Sequence, residues 1–421
     1  MYEERVRVKG FFNVVSVDGF VGLLRTFAPL GGEDVPLGEA DGRVLSRAVA
    51  AREDLPLRDR SCMDGFAVRA RDVFGAGEAN PSYLEQVGAV GIETEPAFEV
   101  GPGECAAIVT GGLLPRGADA VVMVEHTHDM GAGAIEIRTS QAPHDNVMLR
   151  GEDAAAGAEA LPAGCVLRPQ EIGLLAALGY PRVPVFARPR VGIVSTGDEL
   201  IPVEATPVPG QVRDVNSATL YALARRAGAE ATCFGLVPDN AAALKAALAK
   251  ALESCDVVFL SGGSSVGVRD FTLGAIEAMP DADILAHGVA LSPGKPTILC
   301  RVGRKAVWGL PGQVTSAMVV MQVLALPFLR YLQGEPDAFS LDRRVCVPAV
   351  MARNAASKPG REDFVRVRLE QAAPDGGLPR AVPLFGKSGL LGTMLRAHGL
   401  VRIPAEAEGV RKGAPVSVWL A

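Results

Sequence analysis

Two loops in the second half of the chain carry residue types that could hold a phosphate. The first, Ser195-Thr196-Gly197-Asp198-Glu199-Leu200, follows a short apolar run at 191–195. The second, Ser261-Gly262-Gly263-Ser264-Ser265-Val266-Gly267-Val268-Arg269-Asp270, follows another at 256–260. Glycines let backbone N–H groups approach an anion closely, and serine hydroxyls add donors. A helix opening after such a loop presents its positive end to the same place. Glycine turns after strands are also common for purely structural reasons, so each loop alone leaves both readings open. Their expected position on the same edge of one sheet favours a ligand site.

Two further loops join them, Leu291-Ser292-Pro293-Gly294-Lys295-Pro296 and Gly309-Leu310-Pro311-Gly312-Gln313. Lys295 is a compact positive charge between prolines. It reads as a phosphate or oxyanion partner, or as a solvated surface lysine. Carboxylates recur at loop positions: Asp198, Glu199, Asp214, Asp239 and Asp270. Beside a phosphate such oxygens suit Mg²⁺, which keeps several waters. Asp239 and Asp270 also stand where a helix cap would. Elsewhere, His126-x-His128 lacks further ligands nearby and reads as surface, and Arg58-Asp59-Arg60 reads as solvated or ion-paired.

These loops need a scaffold, and residues 189–332 have its rhythm. Strands are expected at 191–195, 231–237, 256–260, 284–288, 296–301 and 306–309. Helices are expected at 218–227, at 241–254 and, as a long one, after Gly312. The alternation implies a doubly wound, mostly parallel α/β domain, whose ligands sit at the carboxyl ends of the strands. Ahead of it, 15–27 and 37–51 read as helices, and 168–179 as a short helix with Pro169 near its start and Gly179 at its end. Between them, runs at 106–109, 120–124 and 134–137 alternate with turns in a β-rich segment. Strands at 343–347, 364–369 and 414–419 suggest a β-type end. The expected organisation is therefore multidomain, α/β and β. A helical N-terminal domain (1–54 plus 146–188) carries an inserted β-rich domain (55–145). The α/β domain (189–332) and a C-terminal β domain (333–421) follow.

Composition bounds the function. A chain of 421 residues exceeds one compact core, and roughly two to four domains are expected. With 48% apolar and 21% charged residues it reads as folded rather than disordered. The net charge of −6 argues against broad electrostatic binding to nucleic acid or to an anionic membrane. Met1-Tyr2-Glu3-Glu4-Arg5 lacks an apolar signal core. The apolar stretch 314–332 is interrupted by Thr315, Ser316, Gln322, Pro327 and Arg330, and reads as a buried helix rather than a membrane span. The 7 cysteines are scattered and unpaired by spacing, which points to a reducing cytoplasm rather than to a disulfide framework or zinc site.

Taken together, the loops carry a resemblance. Arg60-Ser-Cys-Met-Asp-Gly-Phe-Ala-Val68, Ile108-Val-Thr-Gly-Gly112, Gly117-Ala-Asp-Ala-Val-Val-Met123 and Arg150-Gly-Glu-Asp153 precede Ser195-Thr-Gly-Asp-Glu-Leu200, Ser261-Gly-Gly-Ser-Ser-Val-Gly267 and Pro293-Gly-Lys-Pro296. In this order they resemble successive motifs of the molybdopterin molybdenumtransferase family. Gly360-Arg-Glu-Asp-Phe-Val-Arg366 and Lys387-Ser-Gly-Leu-Leu-Gly392 resemble its C-terminal domain. The resemblance implies four domains, an elongated homodimer, and an active site between the α/β domain of one subunit and the β domain of its partner. It implies adenylylated molybdopterin and molybdate as substrates, molybdenum cofactor and AMP as products, and Mg²⁺. A molybdopterin adenylyltransferase and recipient apo-molybdoenzymes are the implied partners.

Carried over position by position, it implies catalytic roles for Asp64, Thr110, Glu199, Asp239, Asp270 and Lys295. Glu199, Asp239 and Asp270 would hold the metal. Ligand contacts would come from Ser195, Thr196, Gly197, Ser261, Gly262, Gly263, Ser264, Gly267, Pro293, Gly294, Pro311 and Gly312, with Arg361 and Ser388 as looser matches. Two positions depart from the family pattern. Ser292 stands where a lysine is usual, and Leu310-Pro-Gly-Gln-Val-Thr-Ser316 replaces Leu-Pro-Gly-Asn-Pro-Val-Ser, putting Val314 at a proline position. They leave open a tungstate-specific paralogue, or a molybdopterin-binding carrier or scaffold with weak insertion. The additional β domains count against an adenylyltransferase.

Overall fold

The computed structural model describes residues 14–93, 95–262, 269–341, 344–371 and 377–420, except the side chains of 269 and 270. Gly263, Ser264 and Gly267, and the carboxylate of Asp270, lie outside the described residues. The chain divides into two compact units. One holds the described residues of Met1–Glu33, Gly42–Ser46 and Pro184–Ala421, the other Asp34–Asp41 and Arg47–Val183.

In the second of these, the chain leaves and returns side by side. Val49–Ala50 pairs with Glu159–Leu161, and Arg60–Ser61 with Val147–Met148. The excursion between them is a six-stranded sheet in the order Ala120–Met123, Gly65–Val68, Glu104–Ile108, Ser82–Val90, Ala134–Ile137, Thr127–Asp129. Its buried residues fall on both faces, one cluster including Val68, Leu84, Cys105, Val122, Ile135 and Ile137 and the other Ala67, Val90, Ile108 and Val121, as side chains that alternate along a strand require. Helix α2 (Pro169–Ala177) closes the unit; Pro169 needs no N–H partner in its first turn, and Gly179 takes φ +71° past its end.

Helix α1 (Val17–Leu24) belongs to the other unit, where Ser16 caps it by accepting from Gly19 N–H at 3.0 Å. The unit's first sheet runs Glu230–Val237, Arg190–Thr196, Val257–Ser261, Lys305–Leu310, Ile298–Val302, Ala282–His287. The first four strands are parallel. Arg190–Thr196, Glu230–Val237 and Val257–Ser261 follow one another through α3 (Asn216–Arg226) and α4 (Ala241–Ser254), and α5 (Arg269–Glu277) leads from Val257–Ser261 to Ala282–His287. Ile298–Val302 runs against both its neighbours, and only Gly303 and Arg304 separate it from Lys305–Leu310. A parallel crossover needs a dozen residues or more. The parallel pairings thus join the first four of its six strands.

Residues 314–332 form α6 (Val314–Val320), one wide turn at Met321–Ala325, and α7 (Leu326–Leu332). The irregular turn sits just ahead of Pro327, which has no N–H to give. By length and composition this helix could cross a membrane. Here it is buried against Trp308, Phe20 and Phe259 in the largest core.

The C-terminal strands close on themselves. Glu362–Glu370 pairs with both Arg380–Pro383 and Gly399–Ile403, and Cys346–Met351 and Pro415–Leu420 complete the ring. Closure leaves no free sheet edge in this small barrel. Leu291–Ser292, from the α/β region, adds to it in parallel alongside Glu362 and Asp363.

One expectation is corrected. Residues 37–51 are not a helix. They make one tight turn at Leu37–Glu39 and then run extended into Val49–Ala50. Gly38 and Gly42 fall inside the stretch, and glycine costs a helix about 1 kcal/mol per position relative to alanine; Gly42 also takes φ +70°. The segments 14–54 and 146–188 therefore carry few helical residues, α1 and α2 being their α-helices among the described residues.

Candidate active site

The parallel strands end level with one another. Ser195 is in register with Ser261, and Thr196 with Val237. The loops leaving these ends surround a cleft of about 680 Å³, lined by Thr196, Gly197, Glu199, Asp239, Ser261, Gly262 and Gly312 among others. These seven come from four separate loops, at the carboxyl edge where open α/β sheets bind ligands.

Gly262 is required by the approach of two strand ends. It takes φ +133°, and a Cβ there would lie 2.0 Å from the Thr196 carbonyl oxygen. At Gly197 a Cβ would stand 2.9 Å from Glu199 Oε2, so glycine lets that carboxylate fold back over the loop.

The carboxylates separate into two kinds. Asp214 is buried and accepts from Ser217 N–H at 3.0 Å and Ser195 Oγ at 3.2 Å. It caps the start of α3 and holds Ser195 beneath the cleft. Ser195 is fully buried. Asp239 is not a cap; that role falls to Asn240, which accepts from Ala243 N–H at 2.8 Å. Asp239 Oδ1 instead accepts from Thr196 Oγ1 at 2.6 Å, and its own N–H donates to Asp198 Oδ1 at 3.1 Å. It is thus fixed across the ends of two strands, at the cleft wall. Glu199, exposed, lines the same wall.

Asn216 was not singled out from sequence, where it falls just ahead of the helix expected at 218–227. Its Nδ2 donates to Ser261 Oγ at 2.7 Å and to the Gly312 carbonyl at 2.8 Å. One side chain thereby ties the end of the Val257–Ser261 strand to the loop after Lys305–Leu310. Arg213, also not singled out, lines the cleft and is steadied by donating to the Ala205 carbonyl at 3.0 Å. Gln313 and Val314, in the loop that departs from the family pattern, line it as well.

Other candidates lie elsewhere. Lys295 is exposed and does not line this cleft; Pro293 and Gly294 share its loop. Pro311 is buried, next in the chain to Gly312. Ser388 reaches the cleft region through its backbone, its carbonyl accepting from Thr315 N–H at 3.1 Å while Gly389 joins the lining. Arg361 pairs with Asp363 at 3.3 Å in the barrel. In the other unit, Asp64 Oδ1 accepts from Thr110 N–H at 2.6 Å and Thr110 Oγ1 at 2.9 Å. These two hydrogen bonds hold the Asp64 carboxyl below the usual carboxylate range. His126 and His128 are exposed, as a surface reading expects.

Among the described residues no three His, Cys, Asp or Glu side chains cluster as a preformed metal cage. The pair Glu199 and Asp239 nevertheless suits Mg²⁺. Both offer hard oxygen donors, and Mg²⁺ usually takes one or two carboxylates and completes its shell with water and phosphate.

Three family descriptions match the chain in order. "MoeA N-terminal region (domain I and II)" covers residues 15–179, "Probable molybdopterin binding domain" 192–331, and "MoeA C-terminal region (domain IV)" 348–421. Molybdopterin molybdenumtransferase 2 of Mycobacterium tuberculosis is 34% identical, over 91% of this chain and 94% of that protein. The chain belongs to the molybdopterin molybdenumtransferase family. The Bacillus subtilis molybdopterin molybdenumtransferase is 32% identical over 92% of this chain and 89% of its own length. The crystal structure of the molybdopterin biosynthesis MoeA protein from Pyrococcus horikoshii superposes with a TM-score of 0.81 at 31% identity, covering 97% of this chain and all of that one. This family membership carries the fold class read from sequence: mixed sheets, an α/β domain and a C-terminal β domain.

Proposed function

We propose that this chain is a molybdopterin molybdenumtransferase that takes adenylylated molybdopterin and molybdate and yields molybdenum cofactor and AMP. The observation that carries the reading is the cleft at the carboxyl edge of the parallel strands, where glycine loops, Arg213 and two carboxylates face one space. Gly197, Gly262 and Gly312 leave backbone close to a phosphate, and Arg213 supplies the positive charge. Lys295 is assigned to a second anion contact on the neighbouring loop.

Glu199 and Asp239, with Asp270 as the third carboxylate, would hold Mg²⁺. When bound, the ion neutralises charge on the phosphate oxygens. Asp239 Oδ1 is occupied by the Thr196 hydroxyl; its other oxygen is left to orient a water or oxyanion toward the phosphoanhydride and to accept a proton. Asp64 and Thr110, supplied by a partner subunit in a homodimer, would contact the pterin or the oxyanion. The proposal includes a cytoplasmic location and the division 1–54 plus 146–188, 55–145, 189–332 and 333–421.

Gly262→Ala should weaken AMP binding by about tenfold or more, since the added methyl displaces the Thr196 carbonyl and the cleft floor with it. Isothermal titration with AMP and Mg²⁺ checks this; unchanged affinity would place the nucleotide elsewhere. The function itself is tested by reconstitution. The purified chain, given adenylylated molybdopterin, Mg²⁺ and molybdate, should activate a recipient apo-molybdoenzyme. Activation no faster than molybdate and pterin alone would overturn the reading.

A further inference from the structure

Arg366 sits in the closed barrel at 8% exposure, and no carboxylate among the described residues neutralises it. Burial pushes its pKa down with nothing opposing. Its Nη1 donates to Thr393 Oγ1 at 2.9 Å and its Nη2 to the Gly386 carbonyl at 3.3 Å, while Nε is buried without a partner. The two acceptors bracket the segment 386–393, a loop that runs into the short helix Leu391–Leu395.

Its apolar anchoring is slight, Leu391 and the adjacent Met394 being only half-buried. Phe385, Leu390 and Leu395 are exposed, at 62%, 55% and 83%, whereas Thr393 is buried at 3%. Thr393 Oγ1 in turn donates to the Leu390 carbonyl at 2.9 Å, and Leu390 N–H to the Lys387 carbonyl at 3.0 Å. The loop's middle meets the cleft. The Ser388 carbonyl accepts from Thr315 N–H in the first turn of α6, and Gly389 lines the cleft beside Gln313 and Val314.

A buried cation without a counter-charge is costly, and an unbranched apolar side chain of similar length would fill the space at lower cost. Retaining arginine there at the expense of stability is expected of a group kept for function. We propose that Arg366 is a positioning residue for the cleft. It clamps both ends of the 386–393 loop, so that Ser388 and Gly389 hold the first turn of α6 in place against the bound substrate. Its planar fork spans both acceptors; a lysine can reach one. The catalytic part of this claim rests on the function proposed above.

The test uses the full chain with Arg366→Met and Arg366→Lys. The Met variant should melt no lower than the parent. Amide exchange in 386–396 and at Thr315 should rise by about tenfold or more, while Val365 and Val367 on the same strand stay protected. The kcat for AMP release should fall by about tenfold, with a smaller change in KM, and Lys should restore only part of it. Unchanged exchange in the loop would overturn the proposal. So would a melting temperature and a kcat that fall together, since that marks a purely structural role. If the parent chain itself releases no AMP, the functional reading fails alone, and the exchange result still decides whether Arg366 clamps the loop.

Discussion

Asp239→Asn should lower AMP release from adenylylated molybdopterin by about a hundred- to a thousandfold. The substitution is nearly isosteric. Asn keeps an oxygen to accept the Thr196 hydroxyl, whose hydrogen bond to Asp239 is 2.6 Å long. What it removes is the negative charge and one acceptor at the cleft wall. A loss of that size is about 3–4 kcal/mol of transition-state stabilisation, more than a lost neutral hydrogen bond of about 0.5–1.5 kcal/mol would explain. Melting should change little, because Asp239 carries no cap and Asn240 still caps α4. Single-turnover release of AMP, read alongside the melting temperature, checks both halves. A variant within threefold of the parent would remove Asp239 from the chemistry.

Trp308→Ala should destabilise the unit that contains the cleft by about 3–5 kcal/mol. Trp308 is fully buried and sits at the centre of an aromatic cluster, with ring centroids 5.3 Å from Phe20, 5.8 Å from Phe328 and 6.1 Å from Phe259. It lies on the Lys305–Leu310 strand, beneath the helix that starts at the cleft. Truncation opens a cavity bounded by α1, the sheet and α7, and a close-packed core relaxes into such a space only in part. Trp308→Phe should cost much less. It keeps most of the apolar volume and removes an indole N–H that is buried without a partner. Denaturant unfolding of the two variants distinguishes packing from polar effects. An alanine variant within about 1 kcal/mol of the parent would contradict the assignment of Trp308 as the core's centre.

The loops were the most legible part of the chain. Glycines after apolar runs at 191–195 and 256–260 locate the two strand ends that the fold sets side by side. The alternation of strand and helix from 189 onward indicates a sheet with a carboxyl edge. Capping was harder to read. Asp214 and Asp239 both precede helices, yet Asp214 reaches the N–H three residues on while Asn240 takes that role beside Asp239. A one-residue difference in where the helix opens decides which carboxylate is free, and local sequence does not carry it. Asn216 and Arg213 were missed for a similar reason. Their partners Ser261, Gly312 and Ala205 are distant or lie in an irregular loop, so no periodic pattern marks them. Residues 37–51 were misread because Val44, Leu45 and Val49 are buried without helical structure. Burial alone does not distinguish an extended segment from a weak amphipathic helix.

AMP release by the purified chain, with adenylylated molybdopterin and Mg²⁺, in the presence and absence of molybdate or tungstate, tests the central claim most directly. The account predicts release that depends on the oxyanion, one AMP per pterin converted, with the oxyanion of higher rate identifying the metal handled. Tight pterin binding with no release under either oxyanion would contradict it and indicate a carrier, making Ser292 and Val314 the first positions to restore.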